Sequence, residues 1–331
     1  MIISRTPLRV SFFGGGTDLA AYYEHRTGVV ISTAIDKYLY VMARRQIGIV
    51  EQRFRINWSE VELCDEIDEI HHPIVRETLR YLEIDFPLEI STFSDIPANS
   101  GLGSSSAFTV GLLYALYGLK YQMKTKSTLA TEASDIEINI LGRTMGRQDH
   151  YASTYGDLNV FQFHQDGSVS VEPVFYRQEV GQQLTENLMM FWVGQKRDAS
   201  ELLQSQAAVT PLKLDVLTQM CDFVPPMRLI VESGKNLDEI GSMLHQSWML
   251  KRSLTPKISN PTIDSYYEKA LEAGAIGGKL CGAGGGGFLM LYVKPRDREA
   301  VIKALNGTHP MSWALDMGGT RITYYEPSHI G

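Results

Sequence analysis

The residues with the clearest chemistry lie at 97–107, Pro97-Ala98-Asn99-Ser100-Gly101-Leu102-Gly103-Ser104-Ser105-Ser106-Ala107. They follow Pro87–Asp95, a short apolar run of strand-like composition. They precede Phe108–Leu119, which is apolar nearly all round and reads as a buried helix. A glycine-rich turn therefore joins a strand to the start of a core helix. The first N–H groups of such a helix have no internal partners, and its dipole places partial positive charge there. Gly101 and Gly103 let the backbone approach a ligand, and Ser104, Ser105 and Ser106 add hydroxyls, so the segment is expected to cradle phosphate. The Gly-Lys-Ser/Thr ending of a Walker A loop is missing. Taken alone, a serine-rich helix cap after a tight turn is the plainer alternative.

A second glycine run, Gly282-Ala283-Gly284-Gly285-Gly286-Gly287, fits G-x-G-x-x-G literally. The dinucleotide fingerprint needs a helix next, whereas Phe288–Val293 reads as a strand and no acidic residue stands at the expected later position. NAD binding is rejected. Four consecutive glycines are entropically costly to order, which favours a ligand-facing backbone over a plain turn.

The elements that must position these turns are those of a globular protein. The chain has 331 residues, 44% hydrophobic and 21% charged, enough for one large domain or two ordinary ones. Its formal net charge of -7 gives a nucleic-acid partner no general support, while a local basic pocket for an anionic substrate remains compatible with it. Cys64, Cys221 and Cys281 are odd in number and widely spaced, which argues against a disulfide framework and fits a reducing cytoplasm. No signal peptide and no membrane-spanning run are expected.

Met1–Phe13 reads as a strand ending at Gly14-Gly15-Gly16-Thr17-Asp18, with Thr17 or Asp18 capping a short helix through Glu24. Val29–Ile35 and Tyr38–Arg44 read as two strands, Arg53–Trp58 as another, and Pro73–Leu82 as a helix. His71 and His72 read as solvated loop histidines, since neighbours cannot share a helical face and no metal-spaced ligands surround them. Ser127–Gly142 is helical in pattern, Gly146–Tyr151 a polar turn, and Leu158–Phe163 and Ser168–Val174 strands. A composition change over Tyr176–Asn187 sets a soft boundary, giving domains at 1–180 and 181–331. Beyond it, strands are expected at Leu188–Val193, Ala275–Cys281, Phe288–Val293, Met311–Asp316 and Arg321–Tyr325. Helices are expected up to Gln206 and at Lys213–Phe223, Leu237–Lys251, Thr262–Ala273 and Arg296–Leu305. The class is α+β.

Three motifs stand in order: Pro7-Leu8-Arg9-Val10-Ser11-Phe12-Phe13-Gly14-Gly15-Gly16-Thr17-Asp18, Pro97–Ala107, and Lys279-Leu280-Cys281-Gly282-Ala283-Gly284-Gly285-Gly286. Together they resemble the GHMP kinase superfamily over nearly the whole chain. The opening motif, Ile35-Asp36-Lys37-Tyr38, and Gly146-Arg147-Gln148-Asp149 followed by Tyr155-Gly156 are similar to the subgroup of bacterial D-glycero-D-manno-heptose 7-phosphate kinases. Galactokinases carry Glu-His where this chain has Gly15-Gly16, which puts galactose in doubt.

The resemblance implies a fold of two parts, the first like domain 2 of ribosomal protein S5 and the second ferredoxin-like, with the site in the cleft between them. It implies ATP and Mg²⁺, with Pro97, Asn99 and Gly101–Ser106 on the nucleotide and Ser105 and Glu137 on the metal. Read by itself, Glu137 is a solvated helix-face acid beside Glu132 and Asp135. The resemblance makes Asp149 the catalytic aspartate, Arg9 its basic neighbour, and Asp18 a ligand of the sugar beside Gly15 and Gly16. Arg147 and the Lys196-Arg197 pair are candidates for an acceptor phosphate, and the backbone of Gly282, Gly284 and Gly285 is expected to close over the acceptor or the transferring phosphoryl group. The adenine pocket is expected between about Tyr40 and Leu82. The implied reaction phosphorylates the anomeric hydroxyl of the heptose 7-phosphate. The alternatives are another sugar kinase of the superfamily, such as an L-fucose kinase, or a non-catalytic sugar- or nucleotide-sensing relative. The partner is a sugar or sugar phosphate, with no nucleic acid and no membrane. The oligomeric state is open, a homodimer among its options.

Overall fold

In the computed structural model, which describes residues 1–47, 49, 51–194 and 199–326, two sheets hold the glycine-rich turns against each other. The first sheet is built on β1 (Ile2–Phe13) and β2 (Gly28–Arg45), antiparallel partners along most of their length. β3 (Phe54–Asn57), β4 (Val61–Cys64) and β5 (Leu88–Ser94) extend one end, with β3 parallel to β5, and β6 (Leu158–Phe163) and β7 (Val169–Pro173) extend the other. The second sheet is antiparallel, with β8 (Leu188–Trp192) and β10 (Phe288–Val293) at its centre between β11 (His309–Met311) and β9 (Ala275–Leu280). The last strand, β12 (Arg321–Tyr325), returns to the first sheet beside β1, so the two sheets do not divide the chain at one point.

The helices are α1 (Ala20–Tyr23), α2 (Pro73–Tyr81), α3 (Ser104–Leu119), α4 (Lys126–Asp135), α5 (Gln148–Tyr155), α6 (Gln178–Asn187), α7 (Ala199–Val209), α8 (Leu214–Cys221), α9 (Val224–Ser233), α10 (Asp238–Arg252), α11 (Pro261–Glu272) and α12 (Arg298–Ala304). α3 is buried almost all round, as its composition predicts, and packs on β1 and β2. Truncating one of its core leucines, such as Leu113, to alanine costs ~2–5 kcal/mol. That burial makes the N-terminus of α3 a rigid platform for the turn before it. One continuous core runs from Leu8 and Val10 of the first sheet to Met190 and Met290 of the second.

Several expectations are corrected. The two strands of 29–44 are one strand. Its first half pairs with β6 and its second with β5, and the ladder to β1 shifts register between Pro7 and Arg9 where it bends. Asp18 and Thr17 do not cap α1, whose N-cap is Leu19. His72 is not a solvated loop histidine. Its Nδ1 accepts from the Val75 N–H at the start of α2, and its ring lies between Trp58 at 4.9 Å and Phe108 at 5.0 Å. Helices α6 and α9 were not expected. α9 opens Val224-Pro225-Pro226, and proline is tolerated there because first-turn N–H groups have no helical partner. The strand expected to Asp316 stops at Met311, leaving a single bridge from Leu315 to Ile35.

Candidate active site

Gly103 opens α3 with φ 77°, and a side chain there would press on Arg9 Cγ and Asp149 Oδ2. Only glycine allows the turn to pass this close to those two residues. Asp149 was expected in a turn but sits in the first turn of α5, at the positive end of its dipole. Arg9, inside β1, grips it with a two-pronged ion pair, Nε to Oδ1 and Nη2 to Oδ2, each 2.7 Å. Arg9 Nη1 also donates to the Gly101 carbonyl at 2.8 Å, and the Arg9 backbone N–H to the Leu102 carbonyl at 3.0 Å. One arginine thus fixes both the carboxylate and the glycine turn. The fork geometry of a guanidinium suits that task in a way lysine cannot match.

These groups share one cavity, which also takes in Asn99, Ser104, Ser105, Ser106, Gly15 and Gly16. Two of the expected cradle residues lie outside it. Pro97 is exposed on the surface, and Leu102 is wholly buried in the core.

Glu137 is the second correction of substance. It lies not on a solvated face but fully buried, in a π-helical turn (Ile136–Ile140) that continues α4. π-Turns recur at functional sites because they re-aim a side chain. Ser105 Oγ donates to its carboxylate, as do Thr109 Oγ1 at 2.8 Å and Arg143 Nη1 at 2.7 Å, and His150 Nε2 lies 3.1 Å away. Burial raises its carboxyl, but His150, Ser105 and Arg143 outweigh that and hold it down at about 2. Among the described residues no three His, Cys, Asp or Glu side chains form a ready-made metal site. Ser105 and Glu137 offer two hard oxygens side by side. That donor set suits Mg²⁺, which keeps most of its shell for water and substrate phosphate. Arg143 donates to both of these oxygens, so positive charge already stands where a cation would be held.

Asp18 is buried, and its oxygens accept from the Gly16 N–H at 2.9 Å, the Gln148 N–H at 3.1 Å and Gln148 Nε2 at 2.9 Å. Burial, then repulsion from Asp149, raises its pKa. Its first effect is to pin the Gly14–Gly16 turn to the start of α5.

The expected phosphate arginine, Arg147, turns away from the cavity. Its guanidinium is buried, donates to Ser134 Oγ and the Gly167 carbonyl, and lies over the Tyr151 ring. Lys196 and Arg197 lie outside the described residues.

The glycine run is also corrected. Gly282 and Ala283 line the cavity, but Gly284 and Gly285 back onto the Ile258 carbonyl, which accepts from the Gly285 N–H at 2.9 Å. A Cβ on Gly282 would stand 2.6 Å from Gly101 Cα, and one on Gly101 would stand 2.7 Å from the Cys281 carbonyl oxygen. The two glycine turns exist to touch each other. Sequence reasoning missed Ser11, Gln148, Lys251 and Lys279, all of which reach the cavity.

With this geometry in place, comparison with known proteins places the chain. Residues 71–157 match the GHMP kinases N terminal domain, and residues 227–310 the GHMP kinases C terminal. The chain belongs to the GHMP kinase family. It is 27% identical over 318 residues to D-glycero-alpha-D-manno-heptose 7-phosphate kinase of Campylobacter jejuni, covering 92% of this chain and 93% of that protein. It is 23% identical over 316 residues to mevalonate kinase of Saccharolobus solfataricus, covering 92% and 94%. A solved D-glycero-D-manno-heptose 1-phosphate kinase from Bacteroides thetaiotaomicron shares the fold at a TM-score of 0.81 and 22% identity, over 98% of this chain and 99% of that one. The fold of this GHMP kinase is the mixed α and β one expected. Among the described residues no helix is long and apolar enough to cross a membrane.

Proposed function

We propose that this GHMP kinase is an ATP- and Mg²⁺-dependent sugar kinase that phosphorylates the anomeric hydroxyl of D-glycero-D-manno-heptose 7-phosphate, giving the 1,7-bisphosphate. The observation that carries the reading is the Arg9–Asp149 pair beside the glycine cradle in one cavity. The likeness to the Campylobacter enzyme supports the acceptor.

In the proposed reaction, the acceptor oxygen attacks the γ-phosphorus of ATP. A phosphorus–oxygen bond forms as the bond to the β–γ bridging oxygen breaks, and ADP leaves. Asp149 orients the acceptor hydroxyl and takes its proton, while Arg9 keeps the carboxylate in one orientation. Gly101, Gly103 and Ser104–Ser106 cradle the nucleotide phosphates at the N-terminus of α3. When bound, Mg²⁺ would neutralise charge on those phosphates, and Ser105 and Glu137 are the residues that would hold it. Residues 1–180 supply this nucleotide machinery, and residues 181–331 close the cavity from the other side.

The test is an ADP-release assay with ATP and Mg²⁺ on heptose 7-phosphate, unphosphorylated heptose, mannose, L-fucose and galactose. Turnover confined to the 7-phosphate is expected. Preferred turnover of L-fucose or another neutral sugar overturns the acceptor, and no turnover on any of them overturns the reading.

A further inference from the structure

Lys251, from the last turn of α10, and Lys279, from β9, are both 6% exposed and both line the cavity. Lys251 Nζ donates to the Gly282 carbonyl. Lys279 Nζ donates to the carbonyls of Ser11 and Phe12, at 2.8 and 3.1 Å. Neither lysine makes an ion pair among the described residues, and Asp18 and Asp149 of the same cavity act on Lys251 only at longer range. A buried ammonium held only by neutral carbonyls is costly, because its charge is desolvated without an opposing one. Burial accordingly lowers Lys251 to about 8 and Lys279 to about 7, and for Lys279 the neighbouring Lys251 adds to the shift.

A second feature points to the same place. Ser11 Oγ is buried without a hydrogen-bond partner among the described residues, and Ser11 lines the cavity, so its hydroxyl is free to donate to a ligand. Gly15 is next to Ser11: a side chain on it would stand 3.6 Å from Ser11 Oγ and from Gln148 Nε2. Gly15, Lys251 and Lys279 also line a smaller cavity beside the main one. This wall adjoins the cradle at Gly101–Ser106 through Gly282, which packs on Gly101, but it offers side-chain ammonium groups where the cradle offers backbone and hydroxyl donors. Two cations, an unpaired hydroxyl and an open glycine backbone suit a phosphate monoester.

We infer that Lys251 and Lys279, with Ser11, receive the phosphate that the acceptor already carries, so that the floor of the cavity selects a phosphorylated over a neutral sugar. This rests on the sugar-kinase reading above and names the part of the site that recognises the acceptor.

The experiment is calorimetric titration of the protein saturated with Mg²⁺ and AMPPNP, which fills the nucleotide cradle. The probes are heptose 7-phosphate, unphosphorylated heptose and inorganic phosphate. The proteins are the wild type, Lys251→Met, Lys279→Met and the milder Ser11→Ala. Wild type is expected to prefer the phosphorylated heptose. Each lysine variant is expected to lose about 10- to 100-fold of that affinity, and Ser11→Ala about 5-fold, with AMPPNP affinity unchanged in all. Retained AMPPNP affinity also certifies the fold, and Ser11→Ala carries the test if a lysine variant fails to fold. Unchanged preference in the variants overturns the inference, even if heptose 7-phosphate proves to be turned over. Loss of AMPPNP affinity in the same proportion overturns it too, since the lysines then serve the nucleotide. If neither heptose binds but phosphate binds wild type and not the lysine variants, the anion site stands and the heptose acceptor falls.

Discussion

At the cradle, Glu137 is fully buried and meets Ser105, Thr109, Arg143 and His150. At the floor of the same cavity, Lys251 and Lys279 are almost as buried and meet only backbone carbonyls. The contrast separates two uses of buried charge. The acid is part of a closed network that stabilises the empty protein. The bases are left short of a counter-charge, and the energy of meeting one is reserved for a ligand. Asp149 lies between these regimes, locked by Arg9 yet partly open to the cavity.

The largest expected effect falls on that middle ground. Asp149→Asn keeps the shape but removes the proton acceptor and weakens the Arg9 pair. Steady-state assays should give a kcat lower by ~10²–10⁴-fold with AMPPNP affinity retained. A kcat within a few-fold of wild type would reduce Asp149 to a structural partner of Arg9.

Next comes Glu137→Gln, which should cost about 3 kcal/mol in denaturant unfolding because it takes the charged acceptor from Ser105, Thr109 and the buried His150 together. The pH dependence sharpens this. The Glu137 carboxyl is held at about 2 against an ordinary 4.5, so its stabilisation is complete above pH 4.5 and lost as pH falls from 4.5 towards 2. Wild type should lose on the order of 3 kcal/mol more than the Gln variant over that window, in unfolding measured pH by pH.

The lysines should slope the same way for the opposite reason, since here the charged form is the costly one. Lys279 releases its proton near pH 7 when folded and near 10.5 when unfolded, so the folded state holds fewer protons between these values. Stability therefore rises with pH across that window, and the cost of burying the charge is largest below it. Melting temperatures of wild type and Lys279→Met should shift in favour of wild type between pH 7 and 10. A parallel pair of curves would place Lys279 among ordinary, solvated lysines. Smallest of all is Arg147→Ala. It should cost ~1–2 kcal/mol of stability through its lost bonds to Ser134 and Gly167, and leave both KM values unchanged.

What the sequence disclosed follows the range of the interactions. The cradle is contiguous, and its glycines, serines and the apolar helix behind them could be read directly. The floor is assembled from β1, α10 and β9, and no short motif spans it. A signal did exist: in α10 the buried stripe Ile240, Leu244, Ser247 and Trp248 continues to Lys251, so a lysine falls on the core face of an amphipathic helix. Glu137 could be matched by resemblance but not by pattern, because its burial comes from a π-turn and from partners on α3 and α5. Arg147 was misplaced because adjacency to Asp149 along a helix points the two side chains in different directions. β2 was split because the polar Asp36-Lys37 pair imitates a turn, while its two halves pair with different strands.

The return of β12 to the edge of β1 governs how this protein is made. During synthesis β1 is made about three hundred residues before the strand that covers its edge. Until then the Ile2–Arg5 end of β1 offers unpaired backbone groups to any neighbour. The half of the molecule that contains the cradle and Arg9 cannot finish its sheet until β12 has been made, and crowded or chaperone-poor expression should tax this step first.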